Sequence, residues 1–239
     1  MISIIVPALN EENFLSECLK SLENQNYSGR YEIILVDNNS KDKTKEIGGK
    51  FKIKILHCPE RGAFYARKMG ADAALGDIII QADADTIYPE DWLEKISNKF
   101  SENPRASAIA GVYMYRDPPY WAQFEYFVKN IFNALSAKII GRPGLVSGAN
   151  FAFRKNTFLE IGGYKKDSLY FDQYDISMRL SRFGKIIYDP KIIVLTSSRR
   201  VKKSSLFVLK HFAINVFKIF LYFIKSQKKN RAELSWQKH

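Results

Sequence analysis

Between residues 2 and 100 the chain alternates short apolar runs with segments of helical spacing, and this alternation constrains the fold more than any other feature. Ile2 to Val6 is an apolar run of strand length, followed by Phe14, Leu15, Cys18, Leu19 and Leu22 at helical spacing. Tyr31 to Val36 reads as a second strand, after which Ser40 or Asp42 can cap a short helix. Phe51 to Leu56 reads as a third strand and Arg61 to Leu75 as an alanine-rich helix. Ile78 to Ile80 begin a fourth strand ending at Asp83, and Pro89 suits the first turn of a helix through Phe100. Near-continuous apolar strands joined by helices predict an α/β fold whose mostly parallel sheet is covered on both faces. Ligands of such sheets bind at the carboxyl ends of the strands. Here those ends carry Pro7 to Glu11, Asp37 to Ser40, and Asp83 to Thr86.

The second half has another rhythm. Trp121, Phe124, Val128, Ile131 and Leu135 form the apolar stripe of an amphipathic helix, for which packing against the core is the expectation. Leu145 to Arg154 is strand-like and broken by Gly148, a short helix starts near Asp172, and strands follow around Ile186–Tyr188 and Ile192–Leu195. Residues 1–200 are therefore expected to form one mixed α/β domain, with a first half over 1–100 and a second over 101–200. Residues 201–239 form an appendage. At 46% hydrophobic and 14% aromatic residues the chain can bury a sizeable core. Cys18 and Cys58 have neither metal-site spacing nor the numbers for a disulfide framework, which points to a reducing, cytoplasmic compartment. The apolar start lacks a basic n-region and a small-residue cleavage site, so it reads as a strand rather than a signal peptide.

The three strand-end loops present carboxylates and amides, a set suited to a nucleotide with its metal. Asp83-Ala84-Asp85 places two carboxylates one residue apart just past a buried strand. Hard oxygen ligands of this kind suit Mg2+ or Mn2+ bridging a diphosphate. A dehydrogenase is disfavoured, because no G-x-G-x-x-G follows the first strand.

Taken together, the motifs resemble those of the family 2 glycosyltransferases of the GT-A fold. Val6-Pro7-Ala8-Leu9-Asn10-Glu11-Glu12 is similar to the family's opening, and Val36-Asp37-Asn38-Asn39-Ser40 with Asp42 and Thr44 to its second segment. Arg61-Gly62, Ala66-Arg67-Lys68 and Gly76-Asp77 are similar to the third, and Asp83-Ala84-Asp85 to the metal motif. Gly148-Ala149-Asn150, Arg154 and Gly162-Gly163-Tyr164 resemble the start of the acceptor half. The resemblance implies transfer of one sugar from a nucleotide-diphosphate sugar, UDP- or GDP-linked, by a metal-assisted, inverting displacement. Pro7, Ala8, Asn10 and Glu11 would contact base and ribose, and Asp37, with Asn39 of the same motif, the base edge. Arg67, helped by Arg61, would sit near the donor. Asp83 would contact ribose or metal-bound water, and Asp85 would ligate the divalent cation.

The family's base segment departs from its usual form in this chain. Here it reads Phe171-Asp172-Gln173-Tyr174-Asp175, so strict register places Gln173 where the family has a carboxylate. Glutamine cannot accept a proton near neutral pH. Asp172 is then the favoured base, unless the acceptor is already anionic, as a phosphate is, and needs none. Asp175 is expected to be structural, pairing Arg179 one turn on. The Gln-x-x-Arg-Trp motif of processive members is absent, which favours single-sugar transfer over polymer synthesis.

Charge divides the chain differently from its motifs. The net charge is +12, yet from Arg199 onward 11 Lys and Arg face the single Glu233, leaving the first 198 residues nearly neutral. Residues 204–226 combine a wide aromatic and aliphatic face with a stripe carrying Lys210, Lys218 and Lys225. That pattern suits a helix lying on an anionic membrane surface, or one packing its apolar face on the domain. No stretch reaches the roughly 18 apolar residues of a plain transmembrane helix. The expected partners are thus a nucleotide-sugar donor, a lipid-linked acceptor such as a polyprenyl phosphate or glycolipid, and a membrane surface bound peripherally on its cytoplasmic face. A soluble enzyme acting on a saccharide or protein, and a catalytically silent nucleotide-sugar binder, are the alternatives. Nucleic-acid binding is disfavoured because the charge is confined to the tail and no nucleic-acid motif is present.

Overall fold

The apolar run at the amino terminus becomes an inner strand of an eight-stranded sheet. A computed structural model describes residues 1–166, 172–199 and 201–203. Its elements are β1 (Ile2–Ala8), α1 (Leu15–Glu23), β2 (Tyr31–Asp37), α2 (Thr44–Gly48), β3 (Lys54–His57), α3 (Ala63–Ala73), β4 (Ile78–Gln81), β5 (Thr86–Ile87) and α4 (Trp92–Glu102). They continue with β6 (Ala106–Arg116), α5 (Tyr120–Ile140), β7 (Phe151–Arg154), α6 (Lys155–Glu160), α7 (Asp172–Leu180) and β8 (Lys185–Ser197). Strand order across the sheet is β3-β2-β1-β4-β7-β6-β8-β5. Four of the ladders are parallel, namely β1 with β2, β1 with β4, β2 with β3 and β6 with β8. β7 runs antiparallel between β4 and β6, and β5 antiparallel beside β8.

Both faces of β1 are covered, which is why its sequence lacks polar alternation. Ile2, Ile4 and Val6 join Leu15, Leu19, Leu22, Trp92, Ile96 and Phe100 in one apolar layer. Ile5 joins Ile34, Val36, Phe64, Phe151, Phe153, Phe158 and Leu180 in the other. At about 1.5–3 kcal/mol for each fully buried large apolar side chain, these two layers are the main stabilising term.

The strand order reverses at β1, since the chain passes from β3 at the edge to β4 on the far side of β1. Such a switch point opens a crevice at the carboxyl ends of the strands. Pro7 helps to open it. Its backbone position faces β4, yet the β1–β4 ladder ends at Ile5 and Gln81, so proline's missing N–H leaves no bond unmade there.

Several boundaries differ from the sequence reading. β3 begins only at Lys54, and Phe51 packs on the first core layer from the loop before it. α4 starts at Trp92, with the Pro89 carbonyl accepting the Trp92 N–H at 3.0 Å, so Pro89 lies in the preceding turn. The two expected strands after α7 are one long β8, whose pairing with β6 shifts register between Ala110 and Val112.

The larger correction concerns α5. Of the expected core stripe, Phe124, Ile131 and Leu135 face outward, at 72%, 45% and 54% exposed, and Val128 is half-buried; Phe127 and Ile139 beside them are also exposed, at 59% and 77%. Several of its inward positions are polar, although Ala122 is buried too. Asn133 is buried and donates to the Leu145 carbonyl at 2.9 Å, Lys129 pairs with Glu125 and donates to the Tyr113 hydroxyl, and Asn130 accepts from Tyr188. Periodicity alone identifies a stripe but not the direction it faces. The expected helix over 204–225, the basic residues around it and the membrane surface assigned to 204–226 lie outside the described residues. Among the described residues no helix is long and apolar enough to cross a membrane.

Asn150 ties the second half together. Its amide oxygen accepts the Trp92 indole N–H at 2.9 Å, and its nitrogen donates to the carbonyls of Val112 (2.8 Å) and Ile192 (2.9 Å). Replacing it by alanine leaves three buried groups without partners, at about 1–3 kcal/mol each. Asn150→Ala should therefore lower the urea midpoint by the equivalent of about 3 kcal/mol or more with an unchanged m-value, whereas an unshifted midpoint would contradict this account.

Candidate functional site

The first two strand-end loops are joined by side chains that replace backbone pairing. Asn10, at φ 55°, donates from its N–H to Ser40 Oγ (3.0 Å) and accepts from Lys41 N–H at its side-chain oxygen (2.8 Å). The Glu11 N–H donates to Thr44 Oγ1 at 2.7 Å. Ala8 lies beside Asp37 in the ladder, and the Asn38 N–H donates to the Ala8 carbonyl at 2.8 Å. The buried Asp37 carboxylate accepts from Ser40 N–H (3.3 Å) and lies 3.3 Å from His57 Nδ1. Asn39 is exposed at φ 62°, and Arg61 is exposed on the loop before α3. Asn38 was not singled out by the sequence. It is buried, donates to the Cys58 and Glu60 carbonyls and accepts from Gly62 N–H at 2.7 Å, so it holds the third segment against the second.

The acidic loop between β4 and β5 is held from beneath. The hydroxyl of buried Tyr88 accepts the Asp83 N–H at 2.8 Å and lies 3.3 Å from the carbonyls of Asp83 and Ala149. Burial raises the Tyr88 pKa well above its ordinary value, so this hydroxyl stays protonated. Above the loop, Arg67 reaches Asp83 Oδ1 with Nη2 (3.2 Å) and Asp172 Oδ2 with Nη1 (3.0 Å). Burial disfavours the guanidinium charge, but the Asp172 and Asp83 carboxylates outweigh it and raise the arginine pKa.

Arg67 occupies a space that only glycine leaves open, since a Cβ on Gly148 would stand 2.4 Å from Nη2. Gly162 and Gly163, at φ 75° and 61°, turn the chain so that Tyr164 packs on Phe64 and Phe158, and its hydroxyl accepts from the Gln81 side-chain amide. Asp172 begins α7 and accepts from Gln173 twice, from its N–H (2.9 Å) and its side-chain amide (3.2 Å). Arg154 has a structural position, donating to the Ala106 carbonyl at 2.9 Å, and Asp175 pairs with Arg179 as expected.

The site also contains a residue counted with the basic tail. Arg199, just after β8, pairs with Glu11 and Asp85 and stacks over Phe14. β5 brings this about by pairing with β8, so that the Ser197 N–H donates to the Asp85 carbonyl at 3.0 Å. Next to these groups lies a cavity of about 140 Å³ lined by Asp83, Asp85, Tyr113, Tyr115, Ser147, Ala149, Thr196 and Ser197. Among the described residues no three His, Cys, Asp or Glu side chains form a metal cluster. The donor set of Asp83 and Asp85 nevertheless fits Mg2+ or Mn2+, which bind through one or two carboxylates and take their other oxygens from phosphate and water.

The profile described as Glycosyl transferase family 2 matches residues 3–162. The glucosyl-dolichyl phosphate glucuronosyltransferase of Haloferax volcanii is 27% identical over 173 residues, covering 68% of this chain and 55% of that protein. A dolichyl N-acetyl-α-D-glucosaminyl phosphate 3-β-D-2,3-diacetamido-2,3-dideoxy-β-D-glucuronosyltransferase of Methanococcus voltae is 28% identical over 204 residues, covering 80% of this chain and 57% of its own length. The chain thus spans little more than half of each relative. Among solved structures, the mannosyltransferase PcManGT of Pyrobaculum calidifontis, in complex with GDP-Man and Mn2+, superposes with a TM-score of 0.68 at 20% identity, covering 81% of this chain and 56% of that one. The profile matches most of the chain and the fold superposes on that structure: the chain belongs to glycosyl transferase family 2 and has the GT-A fold.

Proposed function

We propose that the protein transfers one sugar from a UDP- or GDP-sugar to a lipid-linked acceptor carrying a hydroxyl or phosphate. The observation that carries this reading is Arg67, whose single guanidinium pairs both with Asp83 of the acidic loop and with Asp172 of the second half. Carboxylates suited to a metal–diphosphate and a carboxylate suited to an acceptor thereby meet at one point. Residues 1–200 form the catalytic unit in this reading, and 201–239 the membrane-associating tail.

Pro7, Ala8, Asn10, Glu11, Asp37 and Asn39 line the nucleoside end, Asp83 and Asp85 hold the divalent cation, and Arg67 stands at the sugar end. When bound, the cation offsets the negative charge that grows on the departing diphosphate. Asp172 takes the proton from an acceptor hydroxyl as its oxygen attacks the anomeric carbon from the face opposite the leaving group, which inverts the configuration. Gln173 donates its N–H and amide to Asp172, so it positions this carboxylate and moves no proton itself. The named relatives act on dolichyl-phosphate-linked sugars, which supports a lipid-linked acceptor.

The outward apolar face of α5 supports a membrane surface as partner. Its exposed positions include Phe124, Phe127, Ile131, Leu135 and Ile139, with Gln123 and Lys138 as the polar ones and no carboxylate. An apolar face without acidic groups suits an anionic bilayer interface. Free, buried Cys18 and Cys58 fit the reducing, cytoplasmic side of that membrane.

A screen of UDP- and GDP-sugars with polyprenyl phosphate and glycolipid acceptors tests the reaction: one donor–acceptor pair should turn over with Mg2+ or Mn2+, and Asp85→Ala should abolish it. With a hydroxyl acceptor, Asp172→Asn should lower kcat about 10²–10⁴-fold and Gln173→Ala far less; full activity in Asp172→Asn would remove it as base. In flotation with phosphatidylglycerol vesicles, the triple variant Phe124→Ser, Phe127→Ser, Ile131→Ser should lose roughly 1,000-fold or more in partitioning, given about 1.5–3 kcal/mol for each of the three large apolar side chains. Unchanged flotation would refute α5 as the docking face.

A further inference from the structure

Arg199 brings a cation of the chain's own to the acidic loop. Its Nη1 lies 2.7 Å from Glu11 Oε2, and its Nη2 lies 2.5 Å from Glu11 Oε1 and 2.9 Å from Asp85 Oδ2. Both carboxylates are largely removed from water, with side chains 13% and 10% exposed, so each depends on a close countercharge. The guanidinium is also held in place. It stacks over the Phe14 ring at 4.8 Å, the backbone N–H of Arg199 donates to Ser197 Oγ at 3.3 Å, and buried Val201 anchors the turn that follows. Thr196 Oγ1 lies 3.4 Å from the other oxygen of Asp85. Hydrogen bonding to Glu11, with Asp85 adding to it, raises the Arg199 pKa against the effect of burial, so this charge is permanent.

We infer that Arg199 is the resident counter-cation of the donor site: it competes with a divalent ion for Asp85 in the free chain and passes to the diphosphate when metal and nucleotide enter together. The inference rests on the reading of Asp85 as a metal ligand. A divalent ion on Asp85 would share one carboxylate with a guanidinium, and two cations repel strongly in a site with little water. A diphosphate reverses the balance, because it adds several negative charges and offers the guanidinium a bidentate partner. Free metal is then bound weakly and the nucleotide–metal complex tightly. Arg199 so becomes a specificity-determining residue that keeps the site from filling with metal alone.

The test is Mn2+ binding to the full chain, followed by the free-Mn2+ electron paramagnetic resonance signal, for wild type, Arg199→Gln, Arg199→Lys and Asp85→Asn. Without nucleotide, Arg199→Gln should bind Mn2+ at least ten-fold more tightly than wild type, and Arg199→Lys, which keeps the charge, should stay near wild type. With UDP or GDP added, the order should reverse, Arg199→Gln binding the nucleotide–Mn2+ complex at least ten-fold more weakly. Added Mn2+ should correspondingly raise the thermal midpoint of Arg199→Gln more than that of wild type, which also reports that the variant is folded. If Mn2+ binding depends on Asp85 but is equal in Arg199→Gln and wild type, the counter-cation role is wrong and the metal assignment stands. If no variant binds Mn2+ through Asp85, with or without nucleotide, both fall.

Discussion

Arg67 is the interaction on which the architecture of the site depends. It comes from α3 in the first half of the chain and pairs with Asp83 beside it and with Asp172 at the start of α7, 105 residues later in sequence. A buried guanidinium without carboxylates would be costly, and these carboxylates without it would repel one another. The three groups are stable only as a set. That set fixes the acidic loop relative to the second half, and it exists because Gly148 leaves room for the guanidinium.

Arg199 repeats this logic on the other side of the acidic loop. There the paired carboxylates are Glu11 and Asp85, and the cation comes from the end of β8. The site is thus framed by two arginines, each bridging segments far apart in sequence. One is largely enclosed, with its side chain 12% exposed, and the other is about one-third exposed at 32%. The enclosed arginine has a structural and positioning character, while the more open one can exchange partners at little cost in packing. Along α5 the same chain turns Asn133 inward and Phe124, Phe127 and Phe132 outward.

Much of the fold was legible because β1, β2 and β4 are covered on both faces and must be apolar throughout, and their loops must then carry the polar groups. Asp37, Asp83 and Asp85 were visible for the same reason. Boundaries set by tertiary contacts were less so: Phe51 looks like a strand residue but belongs to the core layer beside β3, and Asp189–Pro190 looks like a strand break but lies within β8. Asn38 and Asn150 were quoted as parts of motifs, yet their work as buried hydrogen-bond hubs needs partners that no spacing reveals.

By itself the sequence determined the period of each element, the chemistry of the three strand-end loops and the family they resemble, since these follow from local propensity and from residues near one another in the chain. The tertiary structure decided which way α5 faces, because a helical stripe carries a period but no direction. It also decided that Gln173 bonds to Asp172, and that Arg199, counted as the first charge of a basic tail, belongs to the acidic loop. The Arg199 outcome depends on contacts with Asp85 and with Glu11, which is 188 positions away in sequence, and such contacts arise only when the sheet brings β8 alongside β5.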